Sequence, residues 1–260
     1  MLSKRTGVVV LAGVTLSVIV AAIFAPRIAQ PLSYHDFADR RAWLGIFNFG
    51  DVVSNAGFAI VGVWGLLVLL GKSSRTQFVD PRERWPYWIV FAGMVLTAIG
   101  SAYYHLAPDN GRLVWDRLPM TIVFMALVAA MIMERISVPI GLALFPILLL
   151  VGIASVVQWH LSELNGTGDL RFYAALQAYA VLLLLVILLL PPRYTRSSDL
   201  VVVAGLYVLA KITETADRQI FAFGHVVSGH TIKHLTAAAA GLWILRMLQK
   251  RRPMEQPGSA

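Results

Sequence analysis

Four residue positions combine types and spacings that suit metal chemistry. His230 and His234 are four residues apart, and so are Ser101 and His105. Side chains at positions i and i+4 share one face of a helix, so two imidazoles with this spacing can bind one cation. Asp116 follows His105 by eleven residues. Since the chain has no cysteine, a metal must be held by His, Asp, Glu or neutral oxygen ligands.

Three histidines around one metal would form a catalytic zinc site. Three protein ligands leave a fourth position open, and zinc lowers the pKa of a water in that position to about 7. Asp116 could accept a proton from this water. Each residue also has an ordinary explanation: Asp116 as a helix cap, Ser101 as a small packing residue, and His105 as a hydrogen-bonding residue at a membrane interface.

The composition indicates that membrane helices position these residues. The 260 residues are 58% hydrophobic and 14% charged, with a mean hydropathy of +0.70. Soluble domains are roughly 45–50% apolar and about 25% charged. The sequence therefore predicts an all-α, polytopic transmembrane helix bundle. The absence of cysteine also excludes disulfides, thiol nucleophiles and iron–sulfur clusters.

A transmembrane helix needs about 20 mostly apolar residues, and eight segments meet this requirement. These predicted spans are residues 7–25, 52–71, 87–104, 118–133, 138–158, 172–190, 200–217 and 230–248. Lys4 and Arg5 precede the first span as in a signal peptide, but its apolar run is longer than usual, which favours an uncleaved helix. Residues 1–30 are therefore predicted to form an N-terminal transmembrane helix.

The distribution of basic residues predicts the orientation. With the N-terminus inside, 13 of the 22 Lys and Arg residues fall on the cytoplasmic side and 7 on the other side. This bias places both termini in the cytoplasm and accounts for much of the net charge of +8 without a nucleic-acid partner. In this orientation, His105, Asp116 and His230 lie at the outer ends of three spans. The pattern fits a bacterial inner membrane.

Three motifs, in this order, resemble the alkaline ceramidase family. They are Gly100-Ser101-Ala102-Tyr103-Tyr104-His105, Asp116-Arg117-Leu118-Pro119-Met120 and His230-Thr231-Ile232-Lys233-His234. The family patterns are approximately GSxxFH, DELPM and HxxWH, and residues 48–55 are similar to its EFWNTxSN segment. The family is related to the progestin and adiponectin receptor group. The resemblance implies a seven-helix ceramidase-like membrane domain over residues 31–250, one extra N-terminal helix, and a cytoplasmic tail over residues 251–260.

The resemblance also implies roles for individual residues. His105, His230 and His234 would bind zinc, with Asp116 and Ser101 as catalytic residues beside it. Lys233 stands where the family has an aromatic residue and Arg117 where it has an acidic one, which leaves the substrate headgroup open.

A calcium ion near the zinc is a further implication of the resemblance. Asp36 and Asp39 are similar to part of the family's acidic stretch, but Asn48 replaces a Glu and Arg41 falls near another expected ligand. Fewer anionic oxygens weaken a calcium site. An ordinary solvated loop explains these residues equally well.

The remaining polar residues of the predicted spans favour structural roles. Lys211, Glu214 and Asp217 recur along the seventh span, where Lys211 and Glu214 could form a buried pair that locks helices together. His35, His160 and His225 are predicted to be surface residues. The run 237–241 is predicted to be a close-packing face.

These observations predict an integral membrane zinc amidase that hydrolyses ceramide or a related N-acyl lipid to a long-chain base and a fatty acid. Its partner would be a membrane lipid. Two alternatives remain at this point: a lipid-sensing receptor of the same group, and an ion or proton transporter that uses the charged row of the seventh span.

Overall fold

The computed structural model describes residues 3–71 and 77–254, and most residues within these ranges are helical. The helices are α1 (Lys4–Phe24), α2 (Phe49–Val53), α3 (Ala56–Leu70), α4 (Trp85–Leu106), α5 (Asn110–Arg135), α6 (Val138–Leu164), α7 (Arg171–Leu188), α8 (Asp199–Thr215), α9 (Asp217–Ala222) and α10 (Gly229–Lys250). Short 3₁₀ turns at Leu32–His35 and Pro81–Arg84 precede α2 and α4. The described residues contain no β-strand. The predicted all-α helix bundle is confirmed.

In the described parts of the chain, six helical segments are long and apolar enough to cross a membrane. They are Arg5–Phe24, Phe49–Leu70, Pro81–Leu106, Asn110–Arg135, Val138–Leu164 and Arg171–Leu188. A multi-pass membrane protein follows from them. Of the other two predicted spans, α8 is 17 residues long and α10 carries Lys233, Arg246 and Lys250, so the crossing of α8 and α10 stays a prediction.

Six helices surround a central space. Helix α5 packs against α4 and α7, α4 against α3, α3 against α10, α10 against α8, and α8 against α7. The helix α6 lies outside α5 and α7, and α1 packs on the outer side of α7. The division into a seven-helix domain and an extra N-terminal helix stays a prediction. Because these six helices form a closed ring, side chains that are distant in sequence face one cavity.

The helix α5 is the most deeply buried element. Every residue from 128 to 135 is buried, whereas many apolar side chains of α1 are exposed, including Val9, Leu16 and Phe24. Exposed apolar side chains are unfavourable in water but suit a lipid environment. The pattern agrees with a bundle whose outer helices face hydrocarbon.

Small residues allow the helices of the site to approach closely. A Cβ atom added at Gly100 of α4 would lie 2.0 Å from the carbonyl oxygen of Trp115 in α5. One added at Gly241 of α10 would lie 2.2 Å from Met94 Cε, and Ala238 is buried. The predicted close-packing face at 237–241 is therefore confirmed for these two residues. Such contacts are typical of membrane helix interfaces.

The helix boundaries differ from the predicted spans at one informative place. Helix α5 begins at Asn110, with Asp109 as its N-cap, because the Asp109 side chain accepts a hydrogen bond from Arg112 N at 2.7 Å. Hydropathy alone places the start of this helix at residue 118, since the preceding turns of the helix are polar. Asp116 thus lies within the helix, and its explanation as a helix cap is wrong.

The end of the bundle opposite the candidate site is held by buried ion pairs. Arg251 is 3% exposed and pairs with Glu134 of α5, which also accepts a hydrogen bond from Tyr87 at 2.8 Å. Arg193 pairs with Glu83 at 2.8 Å. Arg251 is therefore buried in the bundle, whereas residues 252–254 are exposed and are held by backbone hydrogen bonds to residues 193 and 195. The rest of the predicted tail lies outside the described residues, and so do Lys72 and Arg75, two of the basic residues counted on the cytoplasmic side.

Candidate metal centre

Three buried histidines converge at one end of the bundle. His105 lies in the last turn of α4, and His230 and His234 lie one turn apart at the start of α10. Each offers a nitrogen ligand atom, and these atoms all lie within 4.8 Å of one another. The three side chains are 1%, 4% and 2% exposed, respectively. In a search of the His, Asp and Glu side chains among the described residues, these three histidines form a group that could hold a metal ion.

The hydrogen bonding of the imidazoles fits a metal. Both ring nitrogens of His105 are buried without a hydrogen-bond partner. An unpaired buried polar atom is costly, and a metal ion would satisfy one of these nitrogens. Three neutral imidazoles without thiolates suit zinc, although imidazole also binds copper, iron and nickel. The predicted three-histidine ligand set is therefore brought together, while the identity of the metal stays a prediction.

A short hydrogen-bonded chain orients His234. Nδ1 of His234 lies 2.8 Å from Ser54 Oγ, and Ser54 Oγ donates to the carbonyl oxygen of Asp51 at 3.1 Å. In the tautomer that satisfies both contacts, the hydroxyl donates to the carbonyl and Nδ1 of His234 carries a proton and donates to Oγ. The lone pair then resides on Nε2, which is the nitrogen available to a metal.

Backbone contacts hold the other two histidines. Asp217 accepts a hydrogen bond from His230 N at 2.8 Å and another from Ala38 N at 2.9 Å. Asn48 Nδ2 donates to the carbonyl oxygen of His105 at 2.8 Å. Helix α10 begins where the Ser228 side chain accepts from Thr231 N at 2.9 Å, as is usual for an N-cap serine. Asp217 therefore positions the site and does not belong to a row of charges along α8.

Phe37 covers the histidine cluster. Its ring centroid lies 4.6 Å from that of His105 and 4.6 Å from that of His230, and its side chain is 4% exposed. The contact excludes water from this side of the imidazoles. Sequence reasoning missed Phe37 because it lies outside the predicted spans. It also missed Ser54 and Asp51 as supporting residues, although both belong to the segment that carried the family resemblance.

The predicted catalytic residues face a cavity that reaches His234. The cavity has a volume of about 340 Å³, and its walls include Ser101, Asp116 and His234. Asp116 is 6% exposed and Ser101 1% exposed, and their side chains interact with each other. The structure thus brings the predicted carboxylate and hydroxyl to one space beside the histidines.

Most of the cavity wall is apolar. It extends from the histidine end along α4, α5, α7 and α10 toward the opposite side of the bundle. The apolar lining includes Met94, Phe124, Leu127, Met131, Leu184 and Ile244. A mostly apolar space that also contains polar groups is suited to an amphiphile with an alkyl chain.

The charged residues of α8 are arranged differently from the prediction. Lys211 and Glu214 do pair, but they belong to the same helix and the Lys211 side chain is 50% exposed, so this pair cannot lock two helices. Instead, Glu214 pairs with Lys233 of α10 at 2.6 Å. The Lys233 ammonium nitrogen also lies 3.3 Å from His230 Nε2. The link between the helices is therefore made by Lys233, next to the histidine cluster.

The residues proposed for calcium have other partners. Asp36 pairs with Arg40 and Arg218, and both oxygens of Asp39 accept hydrogen bonds from the Arg41 guanidinium, at 2.8 and 2.7 Å. This hydrogen bonding lowers the pKa of Asp39 below its ordinary value. The Asn48 amide donates a hydrogen bond to the carbonyl oxygen of His105, as described above. Calcium stays a prediction, and these contacts give it no support.

The other histidines lie apart from the cluster. His225 is an exposed loop residue, as predicted. His160 is half-buried within α6, which extends to Leu164, and is not in a loop. His35 is also half-buried, and its two ring nitrogens lie 2.8 Å from Tyr104 Oη and 2.9 Å from Asn110 Oδ1. His35, predicted to be a surface residue, is instead half-buried and ties the loop before α2 to α4 and α5.

No model of a known protein family matches this chain, and no curated protein matches it.

Proposed function

We propose that this protein is a membrane-embedded, zinc-dependent amidase that hydrolyses ceramide or a related N-acyl lipid. The observation that carries the proposal is the buried cluster of His105, His230 and His234 beside an apolar cavity that is also lined by Asp116 and Ser101. The resemblance of the three motifs to alkaline ceramidases supports the same activity. The zinc identity, the hydrolysis and the lipid substrate are all part of this proposal.

The three histidines would hold the zinc, with His234 binding through Nε2 because Ser54 engages Nδ1. When bound, zinc supplies a Lewis acid that polarises the amide carbonyl and acidifies water. No residue of the chain needs to form a covalent intermediate.

Asp116 is the proposed proton acceptor. As water attacks the acyl carbon, the carboxylate takes a proton from the water and then delivers it to the amide nitrogen. The C–N bond breaks, so that one water and one amide give one amine and one carboxylic acid. Ser101 would donate a hydrogen bond to the oxygen on which negative charge develops. The interaction between the two side chains keeps both at the same end of the cavity.

The apolar part of the cavity would hold the alkyl chains. Met94, Leu127 and Leu184 are among the residues that line it. An N-acyl lipid would then place its amide near Asp116 while its chains remain in contact with hydrocarbon. The proposed location is a bacterial inner membrane, with the histidine end of the bundle toward the outer face.

The proposal is tested by measuring metal content and turnover on the same preparation. Purified protein in detergent should contain close to one zinc per chain and release fatty acid from ceramide or another N-acyl lipid. His105→Ala should lose both zinc and turnover, whereas His225→Ala, which changes an exposed histidine, should retain both. Stoichiometric zinc without turnover of any N-acyl lipid would favour a lipid-sensing receptor, and ion flux in proteoliposomes without hydrolysis would favour a transporter.

A further inference from the structure

The cavity contains a buried cation without an anionic partner. Arg117 of α5 is 4% exposed and lines the cavity next to Asp116 in sequence. Its Nη2 donates to Gln30 Oε1 at 2.6 Å, while its Nε and Nη1 are buried without a hydrogen-bond partner. Gln30 is neutral, so this bond does not balance the charge. Burial of a guanidinium whose N–H donors lack partners costs free energy, and a ligand that accepts these hydrogen bonds would offset that cost.

Aromatic rings hold the guanidinium in place. Its central carbon lies 4.2 Å from the ring centroid of Trp159, 4.6 Å from that of Tyr173 and 5.4 Å from that of Tyr34. Such rings stabilise a cation through their faces and occupy none of its in-plane N–H donors. The aromatic cage of Tyr34, Trp159 and Tyr173 therefore fixes Arg117 while its unpaired donors stay available.

The other cations of the cavity are already paired. Lys211 and Lys233 both contact Glu214. With Asp116 ionised, the cavity is lined by three cations and two carboxylates, so its wall carries a net positive charge of one. Arg117 is the cation of this set that no ion pair joins to a carboxylate in the described parts of the chain.

We infer that Arg117 binds a carboxylate on the amine portion of the substrate, so that the enzyme acts preferentially on N-acyl amino acids. This inference rests on the proposed amidase function. In an N-acyl amino acid the carboxylate is attached to the carbon next to the amide nitrogen. Asp116 and Arg117 are consecutive residues that line the same space, so the amide and its carboxylate can meet them together. The acyl chain lies in the apolar part of the cavity, which offers no cation for a carboxylate.

The test compares N-palmitoylglycine with N-palmitoylglycinamide, a substrate of nearly the same size in which an uncharged amide replaces the carboxylate. Loss of a charge-assisted hydrogen bond predicts that the wild-type protein has a roughly 10- to 100-fold higher kcat/KM for the acid than for the amide. In Arg117→Gln this ratio should fall toward one, and in Arg117→Lys it should be partly restored. The control is Arg112→Gln, which changes a cation on the same helix that pairs with Asp109, and it should keep the wild-type ratio.

A binding measurement separates this inference from the amidase proposal. With zinc-loaded Asp116→Asn protein, competition against a fluorescent fatty-acyl probe should show the same preference for the acid, whether or not any amide is hydrolysed. Absence of hydrolysis together with this preference would overturn the amidase and leave the anion site. Equal binding of the acid and the amide would overturn the anion site. Because this comparison uses Asp116→Asn protein, it does not depend on whether an Arg117 variant folds. If palmitate competes as well as N-palmitoylglycine and depends equally on Arg117, the residue recognises free fatty acid, and the assignment to the amine portion is wrong.

Discussion

Ser54 Oγ lies 2.8 Å from Nδ1 of His234, although the two residues are 180 positions apart in the chain. This contact fixes which nitrogen of His234 carries a proton and thereby which one can bind a metal. It also connects the histidine cluster to the first turns of the second membrane segment, because Ser54 is bonded in turn to the Asp51 carbonyl. The geometry of the cluster thus depends on a residue that binds no metal itself.

Removal of this hydroxyl should weaken metal binding. We expect Ser54→Ala to reduce zinc affinity by roughly 10- to 100-fold, since a residue that orients a histidine ligand typically contributes this much. Titration with a competing chelator measures the change. The matched control is Ser155→Ala, which removes a buried hydroxyl bonded within α6, away from the cluster. An unchanged affinity in Ser54→Ala would show that the ring of His234 is held by packing alone.

Asp116 should be needed for hydrolysis and not for metal binding. Asp116→Asn keeps the size of the side chain but removes its basicity, so turnover of N-acyl lipid should fall by roughly two to four orders of magnitude. Zinc content should stay near one per chain, because three histidines suffice as ligands. Parallel metal analysis and a fatty-acid release assay give both values. If the Asn variant retains most of its turnover with zinc bound, another group must accept the proton.

The contact between α4 and α5 should control the distance between the histidines and Asp116. A Cβ at Gly100 would clash with the Trp115 carbonyl, so Gly100→Ala must separate the helices that carry His105 and Asp116. Overpacking of this kind typically costs about 1–3 kcal/mol, and we expect a lower thermal midpoint together with reduced turnover. Gly13→Ala is the control, since no atom lies within 4 Å of a Cβ at that position. Equal midpoints for the two variants would contradict this role of Gly100.

The ion pair of Asp39 and Arg41 should make stability depend on pH in the acid range. Hydrogen bonds from Arg41 lower the pKa of Asp39 in the folded protein. Its contribution is therefore fully present above the unfolded-state pKa of about 3.9 and is lost as the pH falls through the folded-state pKa. Asp39→Asn should lower the thermal midpoint at pH 7, and the difference from wild type should shrink below about pH 4. A difference that stays constant between pH 7 and pH 3 would show that the charge of Asp39 contributes nothing.

The orientation of the bundle can be tested with reporter fusions. The basic-residue count predicts that a reporter after Ala260 reports the cytoplasm, while one inserted in the loop 107–109 reports the outer side. The second fusion matters more, since this loop joins α4 to α5 beside the histidine cluster. A cytoplasmic signal from it would reverse the proposed orientation, or would indicate that the first span is removed.

Composition and local spacing were sufficient to predict the class of fold and the ligand set. Long apolar segments must form helices in a membrane because their backbone groups have no water to bond with, which is why the helix bundle followed from hydropathy. The i, i+4 spacing fixed His230 and His234 on one helix face, and Gly241 and Ala238 marked a packing surface. Even the convergence of His105 with them followed from counting spans, because each span moves the chain to the opposite side.

Contacts between distant segments were decided by the tertiary structure. Lys211 and Glu214 are neighbours on one helix, but the link that joins α8 to α10 is made by Lys233, and local spacing gives no information about it. Hydropathy did not identify Asp109 as the N-cap of α5, because the first turns of this helix are polar and hydropathy cannot distinguish a polar helical turn from a loop. Ser54 on His234 and the cage around Arg117 join residues from separate segments of the chain. The packing of the helices determines which of these residues become partners. Packing depends on the shapes of all helix interfaces together, and the periodicity of a single segment carries no information about those shapes.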